Sequence, residues 1–135
     1  LVVLSTMMSA AQDDNSKAYT RAKRITDMQR MAQAMQDIQS GFFYNNVDIV
    51  RDGAKTLKET IVHVGPTIDE ISNKDIYEQY MLNSEKMTHK TKKKIERRAQ
   101  DVMDRFEKGD AVQALQAYSK IAEQCMKCHV RLRKW

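Results

Sequence analysis

The sequence predicts an all-α fold, an antiparallel up-down-up-down four-helix bundle, on three observations. Apolar residues recur at steps of three and four along four segments, and no segment alternates with the period of two that strands show. Only four Gly and one Pro punctuate the 135 residues, which favours long helices joined by few loops. Each apolar stripe is narrow, so each helix buries one face, and four such faces can close around a single core.

The first two predicted helices are separated by a short loop. Their apolar steps indicate one helix over about 17–40, which Gly41 interrupts, and a second over about 47–64. The apolar stripe of the first is Ala18, Ala22, Ile25, Met28, Ala32, Met35 and Ile38. That of the second is Val47, Val50, Ala54, Leu57, Ile61 and Val64. The Asn45-Asn46 pair offers a cap for the start of the second helix, and Gly65-Pro66 stops it. The short loop makes the two helices antiparallel neighbours.

The last two predicted helices are joined by a tight turn. The third is expected over about 74–108, with Gly109 as the C′ residue after its end. Its stripe is Met81, Thr88, Ile95, Ala99, Val102 and Phe106. Asp110 opens the fourth helix, and Gln113 stands where a capping box places it. The two helices are therefore antiparallel neighbours, and the end of the fourth lies beside the start of the first. The apolar stripe of the fourth helix is Ala111, Leu115, Tyr118, Ala122, Cys125, His129 and Leu132.

The N-terminal residues are set apart from the bundle. An apolar run over 1–8 is followed by the small residues Ser9-Ala10-Ala11 and then by polar ones. This order predicts the remnant of a secretory signal peptide over 1–11, followed by the bundle domain over 12–135. The alternative is a frayed apolar N-terminus. Because of the signal-like order, we expect an exported protein. About eight apolar residues are too few to span a bilayer, so no membrane span is expected.

The strongest chemical signal is the segment Cys125-Met126-Lys127-Cys128-His129, near the end of the fourth helix. Its spacing is that of the attachment motif for c-type haem. Offsets of three and four each come close to a full helical turn, so both thiols and the imidazole share one face. Cys125 and Cys128 can form thioethers to the porphyrin edge while His129 ligates the iron. We therefore predict one covalently attached haem c.

Three other interpretations of this motif stay open. The cysteines could form a redox dithiol, although such pairs belong at a helix start in a βαβ setting. The motif could be part of a zinc site, which takes four ligands, and only His63 and His89 remain as further His or Cys candidates. The three residues could also simply be buried. Predicted export favours haem, because c-type attachment is an extracytoplasmic assembly.

With this motif close to its C-terminus, the sequence resembles the class II cytochromes c, which include cytochrome c′ and its low-spin Met-ligated relatives. The resemblance covers about 15–134. In that family an Arg on the first helix precedes, by four residues, the side chain that faces the distal side of the iron. Arg24 and Met28 fit this pattern, and Met31 stands where the family often has a further Met. Asp75-Ile76-Tyr77 resembles the segment that opens the family's third helix.

The resemblance makes Met28 decisive for function. Met28 and His129 as iron ligands imply six-coordinate iron and a periplasmic electron carrier. If Met28 only packs in the core, the iron is five-coordinate and binds NO or CO, for sensing, buffering or detoxification. Met31 is the next candidate for the distal ligand, and His63 is another. No second motif indicates a substrate-binding active site, so we do not expect an enzyme.

Further side chains are candidates for contacts with the porphyrin. Arg24 and Arg133 are candidate partners of the propionates, because guanidinium groups pair well with carboxylates. A solvated surface charge is the alternative for Arg133. Tyr77, Leu132 and Ile25 are expected to pack against the porphyrin, with plain core packing as the alternative.

The net charge of +5 suggests an anionic partner or surface. Basic residues on the predicted third helix could steer docking onto an anionic redox partner, or simply form a solvated face. Aromatic residues for nucleic-acid stacking do not interleave them, so no nucleic acid is expected. Family members often dimerise through the first two helices, so a homodimer is also considered. The basic residues are Lys86, Lys90, Lys92, Lys93, Lys94, Arg97 and Arg98.

Overall fold

The structure, a computed structural model, describes residues 18–72 and 77–132, with side chains for 18–72 and 85–131. These residues form five helices, namely α1 (Arg21–Tyr44), α2 (Val47–Ile61), α3 (Ile68–Ser72), α4 (Tyr77–Glu107) and α5 (Ala111–Leu132). Within this part of the chain every regular element is a helix, so the all-α prediction is confirmed. The four long helices correspond to the predicted ones, and the short α3 was not predicted. The predicted signal segment over 1–11 lies outside the described residues.

A turn of two asparagines joins α1 to α2. The predicted break at Gly41 is wrong, because α1 continues through it to Tyr44. Asn45 then takes the left-handed conformation, and the N–H groups of Asn45 and Asn46 donate to carbonyls in the last turn of α1, which is a Schellman motif. The Asn46 side chain accepts from two N–H groups in the first turn of α2, at 3.0 and 3.1 Å. Asn46 is thus the predicted cap of α2.

Gly41 serves helix packing rather than helix termination. A Cβ at Gly41 would lie 2.6 Å from Cγ2 of Val50 and 2.9 Å from the Val50 backbone nitrogen. Gly53 on α2 is similarly close to α1, since its Cβ would lie 2.9 Å from Cγ1 of Ile38 and 3.0 Å from the carbonyl oxygen of Ala34. The missing side chains let the two backbones approach closely. A sequence pattern cannot separate this use of glycine from a helix stop.

The turn between α4 and α5 follows the prediction. Gly109 has a φ of 80°, its N–H donates to the carbonyl of Phe106, and the N–H of Asp110 donates to that of Arg105. This pattern is again a Schellman motif. Oδ1 of Asp110 accepts from the N–H of Gln113 at 3.2 Å and so caps α5. The predicted C′ glycine and N-cap are both confirmed.

The core takes one face from each of the four long helices. In α2 and α4 the buried hydrophobic residues belong to the predicted stripes, and Gly53, Thr60 and Thr91 are buried beside them. In α1 and α5 the buried face is rotated relative to the prediction, and Leu115, expected inside, is 49% exposed. The many Ala and Met residues on these two helices give little hydrophobic contrast, so the direction of their apolar face is poorly defined by the sequence. The buried hydrophobic residues of α1 and α5 are Met31, Ala34, Ile38, Ala114, Ala117 and Ile121.

Helix α1 packs on α2, α2 on α4, and α4 on α5. An aromatic cluster closes the core near the end of α1. The ring centroid of Phe42 lies 5.3 Å from that of Phe106 and 5.6 Å from that of Tyr118. Tilted and edge-on ring pairs of this kind add to the stabilisation from buried area. Among the described residues, no helix combines the length and hydrophobicity needed to cross a bilayer.

Replacing Gly41 with Ala tests the close approach of α1 and α2. The new methyl group must displace Val50 or separate the helices, and overpacking of this kind costs about 1–3 kcal/mol. We expect this cost to outweigh the gain in helix propensity, which is at most about 1 kcal/mol. Gly65→Ala is the control, because nothing lies within 4 Å of its Cβ. Urea unfolding should find G41A less stable than both G65A and the native chain; equal stability of all three would contradict the packing role.

Candidate cofactor cavity

A cavity of about 420 Å³ lies among α1, α2, α4 and α5. Its volume is within the range of pockets that hold small molecules and cofactors. Apolar side chains form most of its wall, including Ile61 at the end of α2 and Ile95 on α4. No Asp or Glu is found among the described residues that line it. The wall therefore suits an apolar or soft ligand better than a hard cation.

Helix α5 brings the predicted attachment motif to this cavity. Cys125, Cys128 and His129 all line it, as their offsets of three and four require for one helical face. Cys125 also packs against the core, and neither cysteine forms a disulfide. Burial raises the pKa of the Cys125 thiol above its ordinary value, and the nearby Cys128 raises this pKa further. Cys125 therefore keeps its proton at neutral pH.

Helix α1 brings three methionines to the same cavity. Met28, Met31 and Met35 line it at positions i, i+3 and i+7. Met31 is buried, whereas Met28 and Met35 are half-buried and pack against the core. The predicted distal residue Met28 and the next candidate Met31 therefore both line the cavity that the attachment motif lines.

Helix α4 supplies a wall of the cavity that the sequence did not predict, and Lys92, expected on the basic docking face, is half-buried there. Thr88, Thr91, Lys92 and Ile95 line the cavity, and burial lowers the pKa of Lys92 because it disfavours the charged ammonium. Thr88 and Ile95 belong to the predicted apolar stripe, so their burial was predictable. The sequence did not show that this stripe borders a cavity, because the cavity depends on where α1 and α5 lie. Met126, between the two cysteines, is a further lining residue missed from the sequence.

Arg24 is held by an ion pair within the chain. Its two terminal guanidinium nitrogens donate to the two carboxylate oxygens of Glu70, both at 2.8 Å. Glu70 also accepts from the backbone N–H of Thr67 at 2.9 Å, so the pair ties the short α3 to the start of α1. Nε of Arg24 is buried and has no hydrogen-bond partner among the described residues. A role of Arg24 towards a haem propionate stays a prediction.

The other residues predicted to contact the haem are not among the described residues that line the cavity. Ile25 is 45% exposed and is not among the lining residues. His63 lies in the exposed turn after α2, at a separate surface cleft. Tyr77 begins α4, but its side chain and that of Leu132 lie outside the described residues, as does all of Arg133. Contacts of these residues with a porphyrin stay predictions.

The donor set of the cavity fits a covalently attached haem. Cys125 and Cys128 provide two thiols at the spacing for thioethers, His129 provides an imidazole, and Met28 provides a thioether from another helix. In the part of the chain that the structure describes, no three His, Cys, Asp or Glu side chains come together as a metal cluster. Haem requires no such cluster, because the porphyrin supplies the equatorial ligands and the protein only the axial ones.

No family model, curated protein or solved structure matches this chain. The resemblance to the class II cytochromes c therefore stays a prediction from the sequence motifs. The candidate site is defined by the geometry and chemistry of the chain itself.

The raised pKa of Cys125 predicts a shifted pH dependence of thiol modification. Since the thiolate is the nucleophile, Cys125 of the haem-free folded chain should react with iodoacetamide at higher pH than in the urea-unfolded chain. The folded state binds the Cys125 proton more tightly than the unfolded state does. This difference adds to the free energy of unfolding at any pH below the thiol's unfolded pKa, and the contribution is lost as pH rises through the folded pKa. Peptide mass spectrometry can follow Cys125 alone. Identical pH profiles for the folded and unfolded chains would contradict the burial of this thiol.

Proposed function

We propose that this protein is a monohaem c-type cytochrome of the class II type, an electron carrier with one covalently attached haem. The proposal rests mainly on one observation: Cys125, Cys128, His129 and Met28 line a single apolar cavity. The motif alone is a spacing in the sequence. The cavity adds space for a cofactor, an apolar wall and a soft ligand from another helix.

Each of these side chains has its own role in the proposal. The sulfurs of Cys125 and Cys128 would hold the porphyrin edge on α5. His129 and Met28 would hold the iron, and a His/Met pair raises the reduction potential of haem. When bound, the haem supplies an iron that alternates between two oxidation states. The apolar wall limits the access of water, and exclusion of solvent tunes the potential further.

We further propose that α1, α2, α4 and α5 form the up-down-up-down bundle. Two tight turns and the packing of α1 on α2 and of α4 on α5 support antiparallel pairs. The cavity supports the full arrangement. It is lined by Met28 in the first half of α1, Ile61 at the end of α2, Thr88 in the first half of α4 and His129 near the end of α5. An up-down-up-down bundle places these four regions at one end.

A periplasmic location is part of the proposal. It is supported by the signal-like segment over 1–11 and by the extracytoplasmic assembly of c-type haem. We propose a carrier rather than an enzyme, because no second motif in the sequence indicates a substrate-binding active site. A homodimer remains an expectation from the resemblance.

A five-coordinate protein that binds NO or CO is the second candidate function. It is favoured by the packing of Met28 against the core, since a side chain engaged in packing need not reach the iron. In that case the apolar wall of the cavity would surround an open iron position. The two candidate functions therefore differ in whether the Met28 sulfur binds the iron.

A visible spectrum of the oxidised and reduced protein tests the proposed function. The electron carrier should give low-spin bands with a Met–iron charge-transfer feature. High-spin bands that shift on addition of NO or CO would favour the second candidate. A matured protein without a Soret band would contradict both haem functions and favour a dithiol or zinc module.

Met28→Leu should convert the low-spin spectrum to high spin, because leucine keeps the apolar volume but has no iron ligand. Met103→Leu is the matched control, since Met103 also packs against the core but does not line the cavity. We expect the control to keep the low-spin spectrum. An unchanged spectrum in M28L would remove Met28 from the ligand role, and Met31→Leu then tests the next candidate.

A basic groove between α4 and α5 supports an anionic redox partner. It has a volume of about 510 Å³, and its cationic side chains are Lys90, Lys94, Lys127 and Arg131. Its acidic residue Glu123 pairs with Lys127, which lowers the pKa of that carboxyl. Met126 and Thr91 line both the groove and the cavity, so a partner in the groove would lie one side chain from the cofactor. We propose that an acidic protein docks there.

Reversing charge in this groove should slow reaction with an anionic oxidant. For Lys90→Glu combined with Lys94→Glu, we expect oxidation by hexacyanoferrate(III) to be about tenfold slower at low ionic strength, with the difference lost at high salt. Lys55→Glu with Lys108→Glu is the control, because both lysines are exposed outside the groove and the net charge changes equally. Stopped-flow rates that fall equally in the two double variants would contradict a local docking site.

A further inference from the structure

The cavity concentrates soft sulfur donors. Among the residues that the structure describes, four methionines line it, together with both cysteines. Three of these thioethers lie on one face of α1 and the fourth on α5. Methionine often fills irregular cores. Packing alone, however, gives no reason to gather thioethers beside the two thiols of the chain. The four methionines are Met28, Met31, Met35 and Met126.

This donor set matches Cu(I) better than other metal ions that proteins commonly bind. Thiolates and thioethers select soft Cu(I), whereas Mg²⁺, Ca²⁺ and Mn²⁺ take oxygen ligands. No carboxylate accompanies the sulfurs among the described lining residues. Zn²⁺ prefers a full tetrahedral set, and the described residues bring no three His, Cys, Asp or Glu side chains together. Cu(I) accepts fewer ligands and uses thioether sulfur, so the donors present are sufficient for it.

We propose that the chain, before any haem is attached, binds one Cu(I) ion in this cavity. Cys125 and Cys128 supply two thiolates, and a methionine of α1 supplies a thioether. Each thiol releases its proton to solvent as its sulfur binds copper. The metal enters and remains as Cu(I), so no electron is transferred. The two sulfurs are those assigned to haem attachment, and a chain whose cysteines are thioether-linked therefore cannot hold the ion.

Anaerobic competition for Cu(I) tests this proposal on the full chain. The chain is produced without haem-attachment machinery, kept reduced and checked for helical content by circular dichroism. It is then titrated against the coloured Cu(I)–bicinchoninate complex. We expect transfer of one Cu(I) per chain, unaffected by excess Zn²⁺, and no transfer to the variant with both Cys125→Ser and Cys128→Ser.

The methionines distinguish a cavity site from a simple dithiol. The triple variant Met28→Leu, Met31→Leu and Met35→Leu should bind Cu(I) at least about tenfold more weakly. Met103→Leu, which leaves the cavity unchanged, should bind as the native chain does. The proposal would be overturned by a native chain that takes no Cu(I), or by a triple variant with native affinity. Cu(I) binding does not require the haem proposal: a chain that never acquires haem in a maturing host but still binds Cu(I) would refute only the haem function.

Discussion

The cavity depends on the rotation of α5 about its own axis. Ile121 and Cys125 pack against the core, and the same rotation lets Cys125, Cys128 and His129 line the cavity. The offsets of three and four put the three side chains on one helical face, and the buried Ile121 decides in which direction that face points. If α5 were rotated by a quarter turn, the thiols and the imidazole would face solvent. Attachment of any cofactor therefore depends on ordinary apolar packing one turn earlier in the same helix.

The structure combines a tightly packed region with an open one. Near the end of α1, glycines at positions 41 and 53 bring α1 and α2 together, and the rings of Phe42, Phe106 and Tyr118 fill the space between helices. Around Met28 no Phe, Tyr or Trp side chain lines the cavity among the described residues, and flexible methionines line it instead. Methionine side chains adapt their shape at little cost, so they can line a space that a cofactor or ion occupies.

The helix caps were predicted correctly from the sequence, whereas the role of Gly41 and the contacts between distant residues were not. The caps at Asn46, Gly109 and Asp110 follow from a few neighbouring residues and were predictable. The face of α2 was predictable because Val, Leu and Ile contrast strongly with their polar neighbours, whereas the face of the Ala-rich α5 was misjudged at Leu115. The Arg24–Glu70 pair joins residues that are 46 positions apart, and no pattern in the sequence indicates it. For the same reason the α4 wall of the cavity was missed. The Cys-x-x-Cys-His motif was recognised from its own spacing, and Met28 was singled out by the resemblance to the class II cytochromes c.

The mass of the intact mature protein tests the central claim most directly. The chain should be expressed in a host that exports it and attaches c-type haem, beside a variant with Cys125→Ala and Cys128→Ala. We expect the native chain to weigh one haem more than its polypeptide under denaturing conditions, and the variant to show the polypeptide mass alone. A native chain with the mass of the bare polypeptide, in a host that matures a known c-type cytochrome in parallel, would contradict covalent haem attachment at these cysteines.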